Sequence, residues 1–283
     1  MKKFIAALLF IVGMMGVCFA EQNITVLKYK VKCADAEGVI PYIDGTAVED
    51  YEKMANKVIF DVVKKIVRAV GNKGTFSYAV QLNRSSVVSV LLKAQNGTKE
   101  CYTGLNLDLT KGNDASIHEF FVADKNTKQL LGDYKAYLLT EQGVYLQDDV
   151  KGKFNRFLPY SELLPSVRIG EAGRLFQIAR LSRRCEGKVL IVPRHSLIAI
   201  QLDANPSTGY HWDAVLPESG KIIKVASSFI LPPQEKARTG VPGKEIVFLY
   251  ADDAGLYDVE FQYKRGWEKF NVDKFQVTVS VRE

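Results

Sequence analysis

The chain has 283 residues, is 47% hydrophobic and 25% charged, and carries a formal net charge of +6. Two of the positive charges, Lys2 and Lys3, sit in an N-terminal leader; the remaining excess is scattered rather than gathered in a stripe, which argues against nucleic acid as a partner. With three histidines and no Cys-x-x-Cys or His-x-x-x-His spacing, a structural zinc site is not expected, and no cofactor is implied.

Lys2 and Lys3 precede an apolar run from Phe4 to Val17 that closes on Cys18-Phe19-Ala20. That is the pattern of a secretory signal peptide over residues 1–20, cleaved after Ala20, and it makes the mature chain secreted or periplasmic. Export would put Cys33, Cys101 and Cys185 in an oxidising compartment, where three thiols allow one internal bridge at most; Cys33 with Cys101 is the expected pair.

The remaining stretch of roughly 260 residues exceeds the usual single domain. From Ile24 to Cys33 apolar and polar residues alternate at the period of a half-buried strand, and Pro41, Asp44 and Gly45 then supply turn chemistry. Asp50 to Val70 carries Met54, Val58, Val62, Ile66 and Ala69 at three- and four-residue steps and stops before Gly71, which predicts an amphipathic helix against a sheet. Thr75 to Leu82, Val87 to Ala94 and Cys101 to Asp108 read as strands joined by Asn83-Arg84-Ser85 and Asn96-Gly97 turns. A short helix follows over Asp114 to Phe121, capped by Asp114 or Ser116. Lys128 to Leu131, Ala136 to Thr140 and Val144 to Gln147 continue the pattern, and Ser161 to Leu164 forms a last helical turn. Residues 21–166 are therefore expected to be one α+β domain.

Residues 167–187 hold five arginines and three glycines with broken apolar content, and read as a linker, with a short basic helix as the alternative. From Lys188 onward seven short strands are predicted: Val189 to Ile191, Leu197 to Leu202, Tyr210 to Ala214, Ile222 to Phe229, Lys244 to Tyr250, Gly255 to Tyr263 and Lys269 to Val281. So many strands in under a hundred residues indicate a β-sandwich over 188–283. Asp253-Ala254-Gly255-Leu256-Tyr257 resembles the tyrosine corner of immunoglobulin-like sandwiches, which gives Tyr257 a structural role.

Three loops of this sandwich carry the function. Asn205-Pro206-Ser207-Thr208-Gly209 combines a fixed φ, a permissive glycine and short polar side chains, ahead of Tyr210; alone, that is a turn. Gly240-Val241-Pro242-Gly243 alone is likewise only a loop. Arg265-Gly266-Trp267 puts a guanidinium and the largest aromatic on a turn between the last strands, and these are residue types enriched in binding hot spots. Together and in this order, the three resemble the chagasin-type inhibitors of papain-like cysteine proteases, whose pattern is an Asn-Pro-Thr-Thr-Gly loop, a glycine-rich loop and an Arg-Pro-Trp loop. The resemblance covers about residues 188–283 and includes Gly209-Tyr210-His211-Trp212. Ser207, Pro242 and Gly266 depart from the pattern, and Gly266 in place of proline leaves the third loop less pre-organised.

The resemblance implies an immunoglobulin-like fold whose loops plug a protease cleft reversibly and without catalysis. Pro206, Ser207, Thr208 and Gly209 would lie against the catalytic thiol and histidine, Gly240 to Gly243 along the unprimed side, and Arg265 with Trp267 on the primed-side wall. The N-terminal unit resembles, through Ile40-Pro41, Phe76 to Val80 and Thr103 to Gly112, an exported domain of peptidoglycan deacetylases and lysozyme-sensing anti-sigma factors. That likeness implies a binding module, and an alternative function: a cell-envelope binding or adhesion protein whose N-terminal domain takes a wall component or a lysozyme-like protein. An enzyme is not expected. Ser207, His211 and Asp213 lie too close on one turn and strand to converge as a triad, and the adjacent carboxylates Asp148-Asp149 and Asp252-Asp253 read as solvated turns.

Overall fold

A computed structural model describes residues 24–149, 152–230 and 241–283; the expected leader and Gly240 lie outside the described residues. The N-terminal part opens with β1 (Thr25–Cys33) and β2 (Asp35–Asp44), crosses through α1 (Glu49–Ala69), and continues with β3 (Lys73–Arg84), β4 (Val87–Asn96), β5 (Lys99–Asp108) and the two-residue β6 (Asn113–Asp114). These six strands form one sheet in sequence order, antiparallel except for β2 and β3, which the helix joins in parallel. Pro41 lies within β2, opposite Lys28, rather than in a turn. It is tolerated there because β3 pairs only with Asp35 to Gly38, so beyond that point β2 has a neighbour on one side alone.

The helix buries Ala55, Ile59, Val63, Ile66 and Val67, a stripe rotated about one position from the expected one, and Met54 is exposed. Apolar residues at 58/59, 62/63 and 66/67 make the apolar arc wide, and it is the side carrying Ala55, Ile59 and Val63 that is buried. On the opposite sheet face lies a second, three-stranded sheet of β7 (Ala136–Leu139), β8 (Gly143–Gln147) and β9 (Arg156–Pro159). Asn106 ties the layers: its Nδ2 donates to Tyr137 O (2.8 Å) and its Oδ1 accepts from Leu139 N (3.1 Å). Residues 128–131, grouped with strands in the sequence, belong instead to α2 (Lys125–Leu131), because Asp124 caps it by accepting from Thr127 N at 2.7 Å. Ser116 caps only a single 3₁₀ turn, Ile117–Glu119.

Cys33 and Cys101 do not bridge; both stay buried thiols. Three strands stand between β1 and β5, which at about 4.8 Å per strand separates them by roughly 19 Å, beyond the reach of a disulfide.

Residues 167–187 are not a linker. Following α3 (Tyr160–Leu163), a 3₁₀ segment (Ile169–Arg174) and the residues just after it bury Ala172, Leu175 and Phe176, and β10 (Ile178–Ser182) is a strand of the sandwich, parallel to β12 (Leu197–Ala204). Arg84 Nη1 donates to Leu175 O at 2.9 Å, and Arg174 pairs with the fully buried Asp108 at 2.9 Å. Phe176 packs edge-on against Tyr160 of the N-terminal part and Tyr250 of the sandwich, ring centroids 4.8 and 5.7 Å apart. One apolar cluster therefore runs from the N-terminal part into Leu197 and Tyr250.

The sandwich sets β10, β12 (Leu197–Ala204), β15 (Gly243–Ala251) and β14 (Ile222–Ile230) against β11 (Val189–Pro193), β17 (Asp273–Arg282), β16 (Gly255–Arg265) and β13 (Tyr210–Val215). Inward residues such as Leu202, Trp212, Val247, Phe261 and Phe275 fill its core. Tyr257 Oη donates to Ala254 O (3.0 Å) and Asp253 O (3.2 Å), closing the expected corner. A Cβ at Gly255 would lie 2.6 Å from that hydroxyl, so only glycine fits there.

Candidate functional site

The β12–β13 connection is held by its own side chains. Asn205 Oδ1 accepts from Ser207 Oγ (2.7 Å) and Ser207 N (3.3 Å), while Thr208 Oγ1 and N both donate to Asn205 O, at 2.7 and 3.2 Å. The Tyr263 hydroxyl accepts from Asn205 N at 2.9 Å, tying the loop to β16. Pro206 to Thr208 form one 3₁₀ turn, and Gly209, at φ +78°, turns the chain into β13. Tyr210 then pairs with Arg265 across the β13–β16 ladder.

Arg265 joins the first and third loops. Its Nε donates to Thr208 O (3.0 Å), its Nη1 meets Glu268 Oε1 (3.2 Å), and its guanidinium lies over the rings of Tyr210 (4.5 Å) and Trp267 (5.9 Å). A Cβ at Gly209 would come within 3.3 Å of Trp267 Cη2, so that glycine also makes room for the indole. The second loop re-enters the sandwich at Gly243, opposite Ala204 in the β12–β15 ladder, which sets Val241 and Pro242 beside the start of the first loop. Asn205, Ser207, Thr208, Gly209, Tyr210, Val241, Pro242, Gly243, Arg265, Gly266 and Trp267 thus gather at one end of the sandwich.

Trp267 is 75% exposed, whereas Trp212 is buried, its indole N–H donating to Asp203 O at 3.0 Å and its ring 4.9 Å from that of Tyr263. In the stretch of chain after Trp267 come two residues that the sequence places in a strand, Phe270 at 85% and Val272 at 63% exposure. β17 begins only at Asp273; Gly266 and Asn271 were the sequence signals that the loop continues that far. Beneath the site Glu245 is buried and accepts from Trp212 N at 2.9 Å; burial holds its carboxyl above the ordinary range, against that bond.

Ser207, His211 and Asp213 are not joined as a triad. The Ser207 hydroxyl proton goes to Asn205, and His211 Nε2 meets Asp213 Oδ1 at 3.2 Å beside Lys264. Asp253 is paired with Lys221 and Arg194, Asp148 with Arg156, and no group of three potential metal ligands occurs among the described residues.

Loops of this kind close one end of a two-sheet sandwich. The sequence model of the Chagasin family peptidase inhibitor I42 matches residues 192–279, so the C-terminal sandwich is similar to a family of peptidase inhibitors, not of enzymes. Among solved structures, the cysteine protease inhibitor EhICP2 from Entamoeba histolytica is 26% identical, covering 37% of this chain and 96% of that one at a TM-score of 0.34. PbICP-C, solved in complex with falcipain-2, is 13% identical over 37% of this chain and 91% of its own, TM-score 0.27. A DUF3298-family protein from Bacteroides fragilis is 11% identical over 55% of this chain and 97% of its own, TM-score 0.37. No curated protein matches the chain.

Proposed function

We propose that this protein is an exported, reversible inhibitor of papain-like cysteine proteases, acting by occlusion of the active-site cleft with the three loops at one end of its C-terminal sandwich. The observation that carries the reading is the Arg265 clasp: one guanidinium binds the backbone of the first loop and stacks beside an indole exposed on the third. A clasped loop loses little conformational freedom on binding, and an exposed Trp beside an Arg is the composition of a hot spot. With Thr208 tied back to Asn205, the first loop presents compact backbone to a nucleophile rather than an extended substrate strand. The family match of residues 192–279 supports the same target class.

The test is inhibition of papain and a cathepsin by residues 21–283. The wild-type chain is expected to inhibit with activity recovered on dilution, Thr208→Arg to abolish inhibition, and Trp267→Ala to weaken it at least about thirtyfold, the lower end of a hot-spot truncation. A wild-type chain that inhibits no papain-like protease sinks the reading. Export is tested separately, by N-terminal sequencing of the mature protein, which is expected to begin at Glu21.

A further inference from the structure

We propose that the outer edge of β5 is a second binding site, which takes an extended peptide segment of another protein as an added strand. β6 pairs only with Leu107 and Asp108, so among the described residues Lys99 to Asn106 have a strand neighbour on the β4 side alone. The phase of the ladder is fixed by two bonds: Ala115 N donates to Asn106 O (2.6 Å) and Asn106 N to Asp114 Oδ1 (3.0 Å), so the backbone groups of Asn106 point away from β4. At the two-residue period of an antiparallel ladder, those of Gly104 and Tyr102 point the same way.

They point into a cleft of about 440 Å³. Val62, Ile66 and Ala69 of α1 form one wall and Tyr134 with Tyr137 the other, on opposite faces of the sheet, with β5 as the floor. The Tyr102 carbonyl is already taken by Gln147 Nε2 (2.9 Å), and the Gly104 carbonyl has only a long 3.4 Å contact from Thr103 Oγ1. The floor therefore offers Gly104 N–H and C=O and Tyr102 N–H, the hydrogen bonding of a strand that continues the line of β6 antiparallel to β5. A floor recessed between two walls admits a single extended chain but not the edge of a folded second copy. Successive side chains of the guest would meet the aliphatic wall and the tyrosine wall in turn. Lys65 and Lys135 also line the cleft, against the single carboxylate of Asp114 that is engaged by Asn106, so an apolar segment with acidic flanks fits best.

The experiment uses the full mature chain and the fluorescein-labelled peptide Glu-Glu-Val-Ile-Val-Thr-Glu-Glu, followed by anisotropy and amide hydrogen exchange. Binding is expected to slow exchange at Gly104 at least about tenfold while leaving Ala94, inside the ladder, unchanged. N-methylation of one alternate set of peptide amides should abolish binding and of the other set leave it, because only one set faces β5. Ala69→Trp, at an exposed helix position, should block the cleft and weaken binding at least tenfold with unfolding temperature unchanged. The proposal is overturned if Gly104 exchange does not respond, if both N-methylated peptides bind alike, or if sedimentation shows a dimer that protects Gly104 without peptide.

Discussion

Cutting the chain at residue 188, where the sandwich begins by sequence, should yield a fragment that barely folds. The cut removes β10, and with it the burial of Ala179 and Leu181 and one parallel neighbour of β12. It also uncovers Leu197 and Tyr250, which are fully buried against a cluster that includes Phe176 and Tyr160. Burying a large apolar side chain stabilises by about 1.5–3 kcal/mol. Losing Leu181 outright and exposing roughly half of Leu197 and Tyr250 then costs about 3–6 kcal/mol, comparable to the lower end of the roughly 5–15 kcal/mol that holds a domain together. At about 4–8 °C per kcal/mol for a domain of this size, residues 188–283 should melt at least about 12 °C below residues 21–283. A fragment starting at residue 176 restores β10 and Phe176 and should recover more than half of the difference. Circular dichroism melts of the three proteins decide it; a 188–283 fragment melting within a few degrees of the full chain would refute the shared core.

Three further outcomes follow from the site and its support. Phe270→Ala removes an aromatic that touches solvent on nearly all sides, so inhibition should weaken about tenfold with no change in melting temperature, measured as Ki against papain. Glu245→Gln keeps an acceptor for Trp212 N and removes a charge that burial disfavours. Because the folded carboxyl is held above its ordinary value, its favourable contribution is complete below that value and is lost as pH rises through the folded one; the variant should melt higher than wild type at pH 7 and level with it near pH 4. Asp108 shows the opposite sign: burial pushes its carboxyl up, but the Thr110 hydroxyl and N–H, Arg174 and Lys111 outweigh it and hold it low. Its stabilisation is present above the ordinary carboxylate range and is lost as pH falls through the depressed value, so Asp108→Asn should lower the melting temperature at pH 7, with the gap closing toward pH 2.

Local chemistry made much of this molecule legible before any coordinates. The Asn96-Gly97 turn, the Asp253 to Tyr257 corner and the Asn205 to Gly209 turn each carry their instructions within five residues, and the structure realises all three. What stayed hidden depends on partners far away in sequence. β10 is a short strand among arginines whose pairing partner, β12, starts some fifteen residues later, and nothing in Ile178 to Ser182 announces it. The helix face was displaced because an arc of adjacent apolar pairs has no unique centre until the sheet chooses one. Phe270 was misplaced because a Lys-Phe-Asn-Val run alternates like a strand while β16 and β17 pair only from Tyr263 and Asp273 onward.

The hidden seam also bears on how the two proposed binding sites would share one chain. β12 runs from Leu197 at the seam to Ala204 at the loops, and β15 runs from Gly243 at the loops to Tyr250 at the seam. At about 3.4 Å per residue, seven residues put the loops roughly 24 Å from the shared core. The N-terminal part therefore braces the sandwich from the end opposite Trp267, stiffening the strands that carry the loops and leaving the loop end clear for a partner. A partner at the β5 edge and a protease at the loops would then bind without competing.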